Sequence, residues 1–266
     1  MRINQNISAM NTYSRLTAAN GAKGKSLEKL SSGLRINRAG DDAAGLAISE
    51  KMRGQVGGLK QAIRNSQDGI SLVQTAEGAL TETHAMLNRM RDLTVQAANG
   101  TNHSTDVDKI QDEIDELALA IGDIANNTKF NGIEVLKAGT INLQTGANVG
   151  EQMTITTLDM DAATLGVDGL DVKADADAAL EAIDKAVEDV SAFRSTLGAA
   201  QNRLEHTINN LTATAENLSA AESRIRDVDM AEEMMEFTKN NILSQASTAM
   251  LAQANQMPNS VLQLLQ

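Results

Sequence analysis

The stretch IDKAVED-VSAFRST-LGAAQNR-LEHTINN-LTATAEN-LSAAESR-IRDV, residues 183–228, divides into blocks of seven that each open on an aliphatic residue. Ile183, Val190, Leu197, Leu204, Leu211, Leu218 and Ile225 hold the first position of each block. Ala186, Phe193, Ala200, Thr207, Thr214, Ala221 and Val228 hold the fourth. Apolar residues at alternating steps of three and four form one stripe on a helix, and a sustained stripe is the seam of a coiled coil. The small companions allow close approach of a partner helix, whereas the threonines weaken the seam locally. Asp175 or Asp177 is placed to cap the start, with Glu181 and Asp184 near the positive helix end. The pattern predicts one helix over about 177–239, on the order of 90 Å long.

Partners for that seam lie in the N-terminal half. Met52, Val56, Leu59, Ile63, Ile70, Val73, Leu80 and Leu87 follow helical steps until Asn99-Gly100. Thr105-Asp106-Val107-Asp108 reads as a capped restart, and Ile110, Ile114, Leu117, Ile121 and Ile124 continue the pattern. Three core helices are predicted, about 43–98, 104–127 and 177–239. Heptads alone are equally compatible with an intermolecular coiled coil, but the short second helix favours packing within one chain. Residues 128–176 break the helical period. Phe130-Asn131-Gly132-Ile133 is a turn signal, and Ile141-Asn142-Leu143 and Met153-Thr154-Ile155 alternate as strands do, so a small β-hairpin is predicted. The fold class is mainly α: a long antiparallel helical bundle with a small β insert, both termini forming an inner coiled-coil domain.

Composition removes most other readings. The chain has 266 residues and a net charge of −12, which disfavours nucleic acid as a partner. It has no Cys, so disulfides, thiol catalysis and Cys-based zinc sites are excluded. Aromatic residues make up 2% of the chain, against the aromatic-rich lining of most enzyme pockets. A single Pro permits very long helices. The three histidines lack ligand spacing, and neither His-Glu-x-x-His nor Gly-x-Ser-x-Gly occurs. Gly24-Lys25-Ser26 suggests a phosphate loop, but the required earlier glycine is Ala19. No enzymatic activity, metal or cofactor is expected. Met1 to Leu16 does not resemble a cleavable secretion signal, and no apolar run is long enough to span a bilayer.

The two ends are unusual. Residues 1–40 carry seven cations against Glu28 alone, and residues 240–266 carry no charge at all. Ile3, Ile7, Met10 and Leu16 at one end match Ile242, Met250, Leu251, Val261, Leu264 and Leu265 at the other. A solvated helix normally keeps charges on its outer face. An uncharged amphipathic tail is suited to burial among other protein surfaces. If the core helices are antiparallel, both ends emerge together, pair, and leave apolar faces that one subunit does not bury. A flexible tail, or terminal helices of an ordinary domain, are the alternatives.

Long motifs at both ends resemble bacterial flagellin. Met1-Arg2-Ile3-Asn4-Gln5-Asn6-Ile7 and the run Ser31-Ser32-Gly33-Leu34-Arg35-Ile36-Asn37-Arg38-Ala39-Gly40-Asp41-Asp42-Ala43-Ala44-Gly45-Leu46-Ala47-Ile48 are similar to the family's N-terminal motif. Arg226-Asp227-Val228-Asp229 through Gln256-Met257-Pro258-Asn259-Ser260-Val261-Leu262 is similar to its C-terminal motif, and Lys129-Phe130-Asn131-Gly132 also matches. The large outer domains common in the family are missing between them.

The resemblance implies a secreted, extracellular, structural protein. It would be exported unfolded by a type III route and would self-assemble into the flagellar filament for motility. It implies an inner terminal domain from residues 1–40 plus 235–266. Residues 41–234 would form a core domain carrying the small β insert at about 128–176. Implied partners are copies of the chain in a helical homopolymer, a C-terminal export chaperone wrapping about 230–266, the filament cap and hook-junction proteins, and a host Toll-like receptor. The family's recognition patch falls on Arg89, Arg91, Leu93 and Gln96, with Glu113 as acidic partner. A hook–filament junction protein of the same superfamily, or a related enzyme with a protease insert, are the less favoured alternatives.

Overall fold

A computed structural model describes residues 5–263, with side chains through residue 257. The elements are α1 (Ile7–Ser32), α2 (Ala43–Ala97), α3 (Ser104–Asn127), β1 (Lys129–Phe130), β2 (Ile133–Glu134), β3 (Gly139–Gln144), β4 (Gln152–Thr157), α4 (Ala176–Arg226) and α5 (Met230–Gln263). The fold is mainly α, as the periodicities predict, with two small antiparallel hairpins where one was predicted. Residue contacts divide the chain into a terminal unit, residues up to 54 and from 217 onward, and a central unit, residues 55–216.

In the central unit α2 and α4 run antiparallel, with Arg91 at 2.6 Å from Asp184 and Arg194 at 3.8 Å from Glu77. The seam is closed within the chain, which settles the alternative left open by the heptads. Val73, Leu80, Leu87, Met90, Ile114, Ile121, Ile183, Val190, Phe193, Leu197 and Leu204 are at most 1% exposed. Each such side chain contributes about 1.5–3 kcal/mol through removal from water. α3 spans the predicted 104–127, and the His103 ring nitrogen accepts from the Thr105 N–H at its start. Asp175 caps α4 by accepting from the Asp177 and Ala178 N–H groups, each at 3.1 Å.

The insert shares this core. β1 and β2 are joined through Asn131 at φ 49° and Gly132 at φ 82°, the pair of positive φ values that a two-residue type I′ turn requires. β3 and β4 pair Ile141 with Ile155 and Leu143 with Met153. The alternation of β4 buries Met153, Ile155 and Thr157 on one side. Leu143 fits against Gly69 of α2, where any Cβ would collide with its Cδ1. Residues 158–175 form no regular element, yet Met160, Leu165, Val167 and Val172 are buried in the same core.

In the terminal unit α1 and α5 pack antiparallel. Asn6 Nδ2 donates to the Ala254 carbonyl at 2.7 Å, Lys23 Nζ to Asn241 Oδ1 at 2.8 Å, and Ser244 Oγ to Asn20 Oδ1 at 2.8 Å. Lys29 Nζ lies 3.5 Å from Glu233. The predicted helix over 177–239 is corrected here: α4 stops at Arg226. The chain after α1 is the cause. The Arg35 N–H donates to the Arg226 carbonyl at 2.7 Å and the Val228 N–H to the Gly33 carbonyl at 3.1 Å, so Leu34 bridges to Asp227. These bonds take groups that a continuous helix needs for its own ladder. Asp229 then restarts the chain as α5 by accepting from the Ala231 and Glu232 N–H groups at 2.9 and 3.3 Å. The seam also shifts before the break, since Thr214 is exposed and Ala215 is buried in its place. Among the described residues, no helix is long and apolar enough to cross a membrane.

Candidate assembly surface

The α1–α5 pair is arranged in the reverse of a soluble helix hairpin. A row of buried and half-buried positions on α1 runs through Ala9, Thr12, Leu16, Ala19, Lys23, Ser26 and Leu30. Its counterpart on α5 runs through Glu233, Phe237, Asn240, Ser244, Ser247, Leu251 and Ala254. Both rows alternate steps of three and four, so they are coiled-coil seams built largely from small and polar residues. Large apolar side chains stand outside them. Ile7, Met10, Tyr13 and Leu27 on α1, and Met230, Met234, Met235, Ile242, Leu243 and Met250 on α5, are 46–67% exposed. Met234, Met235, Thr238, Lys239 and Ile242 line an open apolar depression on α5. Among the described residues of the terminal unit, only Ala19, Ile36 and Ala254 are buried apolar groups. Exposed apolar rows of this kind are a feature of interaction surfaces.

Of the predicted terminal residues, Ile7, Met10, Ile242 and Met250 lie on this outer surface. Leu251 is half-buried in the pairing seam instead. Ile3, Leu264 and Leu265 lie outside the described residues, as does the side chain of Val261. Tyr13, Leu27, Met230, Met235 and Leu243 escaped the sequence reading. A signal was present, because Leu243, Met250 and Met257 recur at steps of seven on α5.

The second predicted patch lies in the central unit. Arg89 on α2 donates through Nε at 2.9 Å and Nη2 at 2.7 Å to one Glu113 oxygen on α3, the pair expected. Arg91 donates through Nε to Asp184 of α4 at 2.6 Å. That hydrogen bond, and the Asp184 charge behind it, hold the Arg91 guanidinium protonated beyond its ordinary range. Gln96 is exposed near the end of α2. Leu93 requires a correction: it is buried in the core, and the exposed apolar group beside it is Val95. The cause is helical phase, since Leu93 sits three residues after Met90 on the inward stripe. The patch is therefore polar, with two arginines strapping α2 to its neighbours. Among the described residues, no cluster of His, Asp or Glu is arranged to hold a metal ion.

A model for the bacterial flagellin N-terminal helical region matches residues 3–140, and one for the bacterial flagellin C-terminal helical region matches residues 180–265. The chain is 57% identical to a flagellin of Bacillus subtilis (strain 168) and 56% identical to a flagellin of Halalkalibacterium halodurans, each across 100% of both chains. It is 45% identical to the flagellar filament 31.3 kDa core protein of Treponema maltophilum, again across 100% of both. Among solved structures, Bacillus cereus flagellin is similar at a TM-score of 0.50 and 36% identity, covering 60% of this chain and 94% of that one. A putative flagellar hook-associated protein from Vibrio parahaemolyticus shares the fold at a TM-score of 0.59 and 14% identity, covering 70% of this chain and 100% of that one.

Proposed function

The chain belongs to the bacterial flagellin family, and on that premise we propose that it is the secreted, extracellular subunit of a flagellar filament, joined to its neighbours through the outer surface of α1 and α5. In this reading residues 1–40 plus 235–266 form the inner domain and 41–234 the core domain. The observation that carries it is the exposed apolar rows of the terminal unit. Burying the exposed part of one such Met or Ile between subunits contributes about 1–2 kcal/mol. A repeated contact between unlike surfaces whose rotation does not close a ring propagates as an open helical polymer. The test is to seed the purified protein with sheared filaments and follow growth by negative-stain electron microscopy. Elongating filaments are expected, and a chain that stays monomeric on seeds contradicts the reading.

Export and recognition extend the same reading. A chaperone wrapping residues 230–266 would use Met234, Phe237, Ile242, Met250 and Leu251. Phe237 and Leu251 are half-buried in the seam, so the chaperone must separate α5 from α1, which suits a chain exported unfolded. Capture of the chaperone by a 1–229 fragment as well as by the full chain contradicts this. The filament cap and hook-junction proteins would meet the same end surfaces. A host Toll-like receptor would read Arg89, Arg91, Gln96 and Glu113, without Leu93. Full signalling by an Arg89→Ala, Glu113→Ala monomer overturns that assignment.

A further inference from the structure

We propose that the exposed methionines of the terminal unit are peroxide-modification sites, and that their oxidation blocks assembly without unfolding the subunit. The assembly consequence rests on the function proposed above; the modification itself does not. Met10, Met230, Met234, Met235 and Met250 are each about half to two-thirds exposed on α1 and α5. Met90, Met153 and Met160 are sealed in the core of the central unit. The chain has no Cys and no Trp, so thioethers are its most readily oxidised side chains. Met257, 44% exposed on α5, is a further accessible thioether among the described residues, and exposure decides which sulfur meets a two-electron oxidant.

The chemistry balances with one molecule of hydrogen peroxide per site. The thioether sulfur attacks one peroxide oxygen, an S–O bond forms and the O–O bond breaks. The sulfur loses two electrons, and the other oxygen leaves as water. The product is a sulfoxide, a polar acceptor on a side chain that had been apolar. In the free subunit this costs little, because these side chains already face water. In an assembled layer the same oxygen would be buried without a donor, which is unfavourable. The core methionines are shielded, so helix packing survives. The free subunit is thus the vulnerable form, and burial in the polymer shields the same sulfurs. A dithiol-dependent methionine sulfoxide reductase reverses the change, with the sulfoxide oxygen leaving as water and the dithiol becoming a disulfide.

The experiment treats full-length monomer with hydrogen peroxide, maps added oxygen by peptide mass spectrometry, and measures seeded elongation and thermal melting. The expected result is oxygen on Met10, Met230, Met234, Met235 and Met250 before Met90, Met153 and Met160, an unchanged melting transition, and elongation slowed by about tenfold or more. A variant with those five residues and Met257 changed to Leu should elongate equally with and without peroxide. Should that variant fail to elongate at all, reductase treatment of the oxidised natural chain decides: recovery supports the proposal and no recovery overturns it. Oxygen reaching the core methionines first, or undiminished elongation by chain oxidised at the five sites, also overturns it. Untreated protein that never elongates on seeds instead counts against the filament reading, and oxygen mapped to the five sites then still supports the modification.

Discussion

The two units of this chain use the same heptad device for opposite ends. In the central unit the seam of α2, α3 and α4 is aliphatic, and Leu80, Leu87, Ile121, Ile183 and Leu204 are shut from water. In the terminal unit the α1–α5 seam holds Ala19, Ser26, Asn240 and Ala254, while the bulky apolar residues face out. The first arrangement stabilises a subunit; the second leaves it incomplete. Burial scales with apolar area removed from water, so the central unit carries the subunit's stability. In the function proposed above, the terminal unit defers its burial to contacts with other copies. Helix pairing there depends on small residues and on bonds such as Asn6 to Ala254 and Ser244 to Asn20.

The comparison breaks first at the outer rows. Met235→Asp together with Met250→Asp should leave circular dichroism and the melting transition of the monomer unchanged. It should abolish seeded elongation, because unpaired charges buried between subunits cost several kcal/mol. Filament growth at the parental rate by this variant would mean that the rows are ordinary surface. The mirror experiment is Phe193→Ala in the central unit, which is predicted to lower subunit stability by about 3–5 kcal/mol in chemical denaturation. A loss below about 1 kcal/mol would show that the aliphatic seam is not where stability resides.

Asp229→Ala removes the cap of α5 and should cost about 1 kcal/mol, seen as faster amide exchange in the first turn of α5. No change there would return the break after Arg226 to the Leu34 bridge alone. The smallest effect is acid sensitivity. The Arg38 backbone N–H, with that of Asn37, holds the Asp41 carboxyl below its ordinary range. Lys129 and then Lys137 do the same for Glu134. A carboxylate depressed in the folded state stabilises above its unfolded pKa of about 4, and that contribution is lost as pH falls through the folded value. Melting temperature should therefore be flat above about pH 5 and fall below about pH 4. Asp41→Asn should remove part of that slope, and an unaltered slope would exclude Asp41 as a contributor.

These contrasts were unequally legible in the sequence. Strict recurrence of Ile183, Val190, Leu197 and Leu204 made the central seam readable, because period alone specifies which side of a helix is buried. The alternation at Ile141 to Leu143 and Met153 to Ile155 likewise announced the hairpin of β3 and β4. The break at residues 227–229 was missed because the interrupting segment comes from Gly33 to Arg35, far away in sequence, although the seven-residue line already passes from Ile225 to the charged Glu232 and Lys239. Asp229 with Glu232 three residues on was the available start signal. The fit of Leu143 to Gly69 also joins residues distant in sequence, and a lone glycine in a helix does not announce what approaches it. Leu93 was placed outside because the family resemblance put it in the recognition patch, although its phase with Met90 puts it inside. The uncharged tail was read as a surface for assembly, but the inward row of α1 and α5 is so polar that only the paired helices reveal it.

Hydrogen exchange on monomer and on seeded filaments tests the division between the two units most directly. The account predicts slow exchange over residues 72–93 and 179–204 in both states. It predicts fast exchange over α1 and α5 in the monomer, slowing by about a hundredfold or more in the filament as the outer rows are covered. Equal protection of α1, α5 and the central helices in the monomer, or no gain over α1 and α5 on polymerisation, would contradict it.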